Sequence, residues 1–325
     1  MRKAILSAAT AGVVAIGAGI TFSVLPAQAA LVTYCDGEAS SVTVPGDLAV
    51  AKGKSCTLSD ATVNGNVRIA ADANLLLSNS TVNGNTTVAS NGYLSADTVT
   101  FTGVVSSNSG FGVDSIASDL QGGYRGKVVT GGTEEGYLLA SDGTKVKNIV
   151  VTTGIVDLSD STVAGVVSNT GGDLVDVRNS VINGALTVAS TANGSVVCDS
   201  EVYGAAAYDG NGSAVQLGTG SVSPCTSSNY FDKDVTISNT KGSVEVNDNI
   251  IRGNLSGDGN DPAPTGAGNR VRGEVSGQFA DLQPAAAKAQ ARMALPQRAA
   301  EAKAGNAKRA ASAEKAAVAA GPAFG

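Results

Sequence analysis

The sequence has no histidine and no tryptophan, and only 4% of its 325 residues are aromatic. Without histidine, neither a Ser-His-Asp nor a Cys-His arrangement can be assembled. The four cysteines, Cys35, Cys56, Cys198 and Cys225, form no C-x-x-C pair, so a structural metal site has no ligand set. The phosphate-cradling pattern GxxxxGK[ST] does not occur. Charged residues make up only 15%, and beyond the N-terminus no stretch is apolar enough to span a bilayer.

The one long apolar run lies at the start. Arg2 and Lys3 precede Ala8 to Leu25, and Ala27-Gln28-Ala29 has the small-x-small form of a cleavage site. Residues 1–30 therefore read as a secretory signal peptide, and the mature chain is expected outside the cell. In that oxidising setting four cysteines predict two disulfides, with three possible connectivities. Sequence proximity favours Cys35 with Cys56 and Cys198 with Cys225.

Charge divides the mature chain in two. Residues 31–283 carry 13 Lys and Arg against 26 Asp and Glu, whereas the stretch from Pro284 onward carries 7 basic residues against Glu301 and Glu314. The acidic balance of the body argues against nucleic acid as its partner, because binding a polyanion needs a positive footprint. The Ala/Lys/Arg-rich tail, 284–325, has no sustained apolar face and is interrupted by Pro296, Gly305 and Gly321. It is expected to be disordered or transiently helical, available to teichoic acid, phospholipid or DNA through plain electrostatics. It lacks an LPxTG sorting signal.

What abounds is glycine, 41 residues, with Val, Thr, Ser, Asn and Asp around it. That mixture predicts many short strands and tight turns. The segment TVNGN occurs at 62–66 and again at 81–85, and V/I/F-x-G recurs at Gly65, Gly84, Gly103, Gly165, Gly184, Gly204, Gly253 and Gly273, in steps of 19 or 20 within each run. Five residues before six of these glycines stand Asp60, Asn79, Asp160, Asn179, Asp199 and Asp248. Alternating apolar residues, as in Val67-Arg68-Ile69, signal strands with one face buried. Three short strands and three corners per step cannot make a hairpin sheet; they wind a coil stacked on the next. The expected fold is all-β, a single-stranded parallel β-helix of eleven or twelve coils over residues 31–283. Its N-terminal cap is expected at 31–55 and an irregular region at 105–148. Stacked Asx residues should form a corner ladder, and the repeat glycines should supply the corner φ values.

The segments VPGDL, SCTL, TVNGN, ISNTKGSVEVNDN, IIRGNL and GDGNDPAPTGAGNRVRGEVSGQF give residues 31–279 a resemblance to secreted actinobacterial proteins with the right-handed parallel β-helix, or pectin-lyase-like, architecture. Bactofilins are more distantly similar through their short V-x-G coils, although they lack a signal peptide and disulfides. The resemblance implies fold and location; such proteins mostly have no assigned activity.

Two functional readings follow. The first is a structural or interaction protein, a rigid rod at or near the cell envelope that presents a Ser/Thr/Asn-rich surface to cell-wall or extracellular glycans. No cofactor is expected for it. The second is a lyase or hydrolase acting on acidic glycans through Arg125, Lys127, Glu134, Glu135 and Asp142, with calcium as a conceivable ligand of its carboxylates. A solvated loop with unpaired surface charges is the simpler explanation of this cluster. Asp157, Asp160, Asp173 and Asp176 are expected as solvent-exposed alternation and corner positions. Glycosylation sequons at Asn79, Asn85 and Asn254 fall inside the repeat.

Overall fold

A computed structural model describes residues 31–132, 136–284 and 294–324. The signal peptide reading, and the candidates Glu134 and Glu135, lie outside the described residues. Three parallel sheets of 12 strands each form the walls of a β-solenoid of about 12 coils. Each coil contributes one strand to every sheet. The second coil, for example, gives Asp47–Val50 to sheet A, Ser55–Ser59 to sheet B and Thr62–Val63 to sheet C. Partners in the regular coils are 19 residues apart, as in Val63 with Val82 and Leu75 with Leu94. At about 4.8 Å per strand, twelve coils make a rod roughly 50 Å long.

The core follows from this register, because each inward residue packs on its own counterpart. On sheet C the column Val44, Val63, Val82, Phe101, Leu120, Val146, Val163, Ile182, Val202, Phe231 and Ile251 is buried throughout. A second interior column is polar. The hydroxyls of Ser80, Ser118, Ser180 and Ser200 accept the backbone N–H of Ala61, Val99, Ser161 and Ser180 in the preceding coil, and Asn229 then takes the N–H of Ser200. These groups are sealed from water, so each stacked partner satisfies a donor that would otherwise be orphaned.

The corner chemistry differs from the expectation. Positive φ belongs to the Asx residues: Asp60, Asn79, Asp160, Asn179, Asp199 and Asp248 have φ between 44° and 55°. None of the V-x-G glycines does. They serve close approach instead, since a Cβ on Gly84 would lie 2.5 Å from the carbonyl carbon of Gly65 directly beneath it. Short Asx side chains tolerate the left-handed region; no side chain fits the glycine column.

Residues 31–55, where the cap is expected, already wind in register with the coils that follow, since Val32–Cys35 pairs with Asp47–Val50. The stretch 105–148 is likewise made of in-register coils, and its irregularity is one longer turn: Val113 pairs with Leu138, 25 residues on. Another long turn, between strands Val215–Gly218 and Tyr230–Phe231, folds over the outside of sheet B. The disulfides are Cys35–Cys56 and Cys198–Cys225, and the second pins this turn.

Of the two forms expected for the tail, the helical one is found. Ala294–Ala320 is one α-helix of 27 residues, α1, lying along the outer face of sheet B. Pro296 sits in its first turn, where a missing N–H costs nothing, and Gly321, with φ 84°, ends it by donating its N–H to Ala317. No helix among the described residues is long and apolar enough to cross a membrane.

Candidate functional site

Two outer surfaces gather polar side chains. The first is the face of sheet B beneath α1. Outward positions there stack as Asp114, Leu139, Asp157 and Asp176 in consecutive coils. Asp157, Asp173 and Asp176 are buried, 2–4% exposed, which corrects the expectation of solvated carboxylates. Basic and amide side chains of α1 cover most of this column. Arg298 meets Asp173 at 2.7 Å, and the Lys303 ammonium stands 3.0 Å from Asp157. Asn306 donates to Asp114 at 2.6 Å and accepts from the Tyr137 hydroxyl at 3.0 Å. Arg309 donates to Asn74 Oδ1 at 2.7 Å and lies 5.2 Å above the Phe111 ring, which stacks edge-on against Tyr93 and Tyr137. Further along, Asp176 is paired at 2.9 Å with Arg178, which also reaches Ser223 on the long turn pinned by the disulfide.

Burial governs the charge state of this column. It raises the carboxyls of Asp114 and Asp157 above their ordinary range, against the opposing pull of Asn306 on the first and Lys303 on the second. Burial likewise pushes Asp176 up to about 6, with the Asp157 charge adding to it and Arg178 working the other way. Desolvation outweighs the available cations because the partners sit at the seam while the carboxylates sit beneath it.

The second surface runs along sheet A. Strand Tyr124–Lys127 alternates, with Tyr124 and Gly126 inward and Arg125 and Lys127 exposed. The two cations line a groove of about 400 Å³ with Thr87, Ser106, Asn108 and Thr152. Thr87 also borders a second groove of about 330 Å³ that holds Tyr34, Asp47, Asn66 and Arg68. Arg68, Thr87, Ser106 and Arg125 occupy one register column, so the two guanidinium-bearing positions lie three strand spacings, about 14 Å, apart. Tyr34 is 67% exposed. Among the described residues, Arg68, Arg125 and Lys127 take part in no ion pair, while Asp47 is engaged by the backbone and side chain of Asn66.

Asp142 is not on this surface. It occupies a left-handed turn after strand Tyr137–Ser141 of sheet B, in a cavity of about 340 Å³ with Asp114, Asp157, Asp160 and Lys303. Of the charges considered for polysaccharide cleavage, the described ones thus fall on different faces, Arg125 and Lys127 on sheet A and Asp142 beside sheet B. Among the described residues no group of three or more acidic or cysteine side chains converges as a metal ion requires. Of the corner residues, Asp160 accepts from Asn179, Asp199 from the backbone of Thr226 and Ser227, and Asp248 from the Thr219 hydroxyl. The groove residues Tyr34 and Arg68, and the α1 partners Asn74, Asp114 and Tyr137, carry no local sequence mark. The opposed charges of body and tail were the one signal that pointed to the second group. No protein-family model matches the chain, and comparison with curated proteins and with solved structures returns no match.

Proposed function

We propose that this chain is a secreted structural or interaction protein, a rigid rod at or near the cell envelope whose sheet A holds linear anionic glycans. The observation that carries this reading is the set of cations Arg68, Arg125 and Lys127, which pair with no carboxylate among the described residues, along one flat wall of an otherwise acidic body. Guanidinium groups suit carboxylate recognition in bidentate geometry, and the exposed Tyr34 ring offers a face for a sugar to stack on. The hydroxyls of Thr87 and Ser106 lie between the two arginines, ready to bond ring hydroxyls. Stiffness suits the role, because the wall is already ordered before the ligand arrives. Two disulfides and the signal-like start agree with a place outside the cell.

Affinity electrophoresis of the mature chain through gels containing a polyuronate or a neutral glucan tests this. Retardation by the polyuronate alone is expected, weakening with salt and falling at least about tenfold in the Arg125→Ala/Lys127→Ala variant. Equal retardation of the variant, or none of the wild type, overturns the reading. Shortening of the polyuronate during incubation would put the lyase or hydrolase reading first.

A further inference from the structure

The contact between α1 and sheet B is built unlike the rest of the molecule. The solenoid is held by stacked Val, Leu, Ile and Phe, but the apolar residues that α1 and its extension bury are Ala299, Ala313, Ala317 and Ala323. Its other anchors are the polar contacts of Arg298, Lys303, Asn306 and Arg309. Three cavities of about 340, 560 and 340 Å³ run along the seam. Alanine buries little area, so this seam gains little hydrophobic stabilisation and depends on matched charges.

Yet α1 completes the rod. Beyond it, Gly321 accepts the N–H of Glu38 at 2.8 Å and Ala323 donates to the Glu38 carbonyl at 2.8 Å, so the extension pairs with the first strand of sheet B, Gly37–Ser40. Ala323 closes the N-terminal end of the core. An uncovered strand edge is a site at which a further chain adds. The chain leaves the solenoid at its opposite end, where Gln283 bridges to Thr265 on the twelfth strand of sheet B. Arg298 lies at the eighth strand, about 19 Å back along the axis. Residues 285–293 connect the two, a length that reaches up to about 30 Å when extended. That reach serves a neighbouring rod as well as the chain's own.

We propose that residues 294–324 form an exchangeable clasp that docks equally on sheet B of a second copy, so that two rods close each other's N-terminal ends in a reciprocal dimer. Every copy carries the same basic helix, the same acidic face and the same edge, so the swapped contacts duplicate the internal ones and need no new surface. The difference between the two states then lies in chain entropy and protein concentration, and crowding the protein at a surface favours exchange.

Charge reversal in the full mature chain separates the states. One variant carries Arg298→Glu/Lys303→Glu and the other Asp157→Lys/Asp173→Arg; the latter changes an outward position of sheet B and the bend before strand Leu174–Arg178, leaving the core column intact. Alone, each should be monomeric with a tail open to protease. Mixed, they should form a heterodimer of twice the mass by light scattering, with both tails protected, because wild-type helix meets wild-type groove and reversed helix meets reversed groove. All four changes in one chain should restore a closed monomer. A mixture that stays monomeric, or a single variant whose tail remains protected, overturns the proposal.

Discussion

At the scale of single residues, the repeat separates two jobs that glycine and Asx often share. The left-handed corner is held by Asp or Asn in most coils, with Thr98 and Ala117 among the exceptions, and the glycine five residues later stands where successive backbones nearly touch. Gly84→Ala should therefore destabilise the rod by about 2–3 kcal/mol, because the atom beneath the new methyl is backbone fixed in the ladder and cannot turn aside. Urea unfolding followed by circular dichroism measures this; a shift comparable with that of an exposed alanine substitution would mean that the column relaxes. The glycine was visible in TVNGN and its copy, the Asx two residues ahead of each was visible in the fuller repeat, and so was the 19-residue step. Which letter carried the positive φ was not, since Asn and Gly are each suited to it and only stacking distinguishes them. The interior hydroxyl column was hidden for a similar reason: serine after Asx reads as a turn residue until its partner in the next coil is known.

At the scale of elements, strand period and register were legible because every coil repeats them, whereas α1 occurs once. Its sequence lacks an apolar stripe, and the helix acquires its partners from carboxylates four to seven coils upstream of the chain's exit from the solenoid. The same distance hid the sheet B face, since Asp157, Asp173 and Asp176 look like surface alternation until a helix lies on them. Gly305, read as a breaker, is tolerated within α1 and faces Phe111 with room to spare: an added Cβ would meet only the Cζ atom, at an ordinary 3.7 Å. Gly305→Ala is thus expected to stabilise the docked helix by up to about 1 kcal/mol through propensity alone. Hydrogen exchange should slow across Ala299 to Ala313 without change in the solenoid. Faster exchange there would show that the glycine answers a packing demand.

At the scale of the whole molecule, the acidic body stores part of its charge out of water. Asp114, Asp157 and Asp176 lie on one column, and burial holds each above its ordinary pKa, with Asn306, Lys303 and Arg178 offsetting only part of the effect. A carboxyl whose folded pKa is raised binds more protons when native than when unfolded throughout the interval between the two values. Its contribution is therefore favourable at low pH and is lost as pH rises, for Asp176 across the window from 3.8 to about 6. The size of that loss is at most about 3 kcal/mol. Asp176→Asn removes the titration while keeping the shape, so the comparison cancels the opposing trends of the many exposed acids. Relative to this variant, the wild type should be most stable near about pH 4 and should lose that advantage by about pH 7.5, as read from urea midpoints at each pH. An advantage that instead grew with pH would mean that Arg178, at 2.9 Å, outweighs desolvation and that the column is held ionised by its cations.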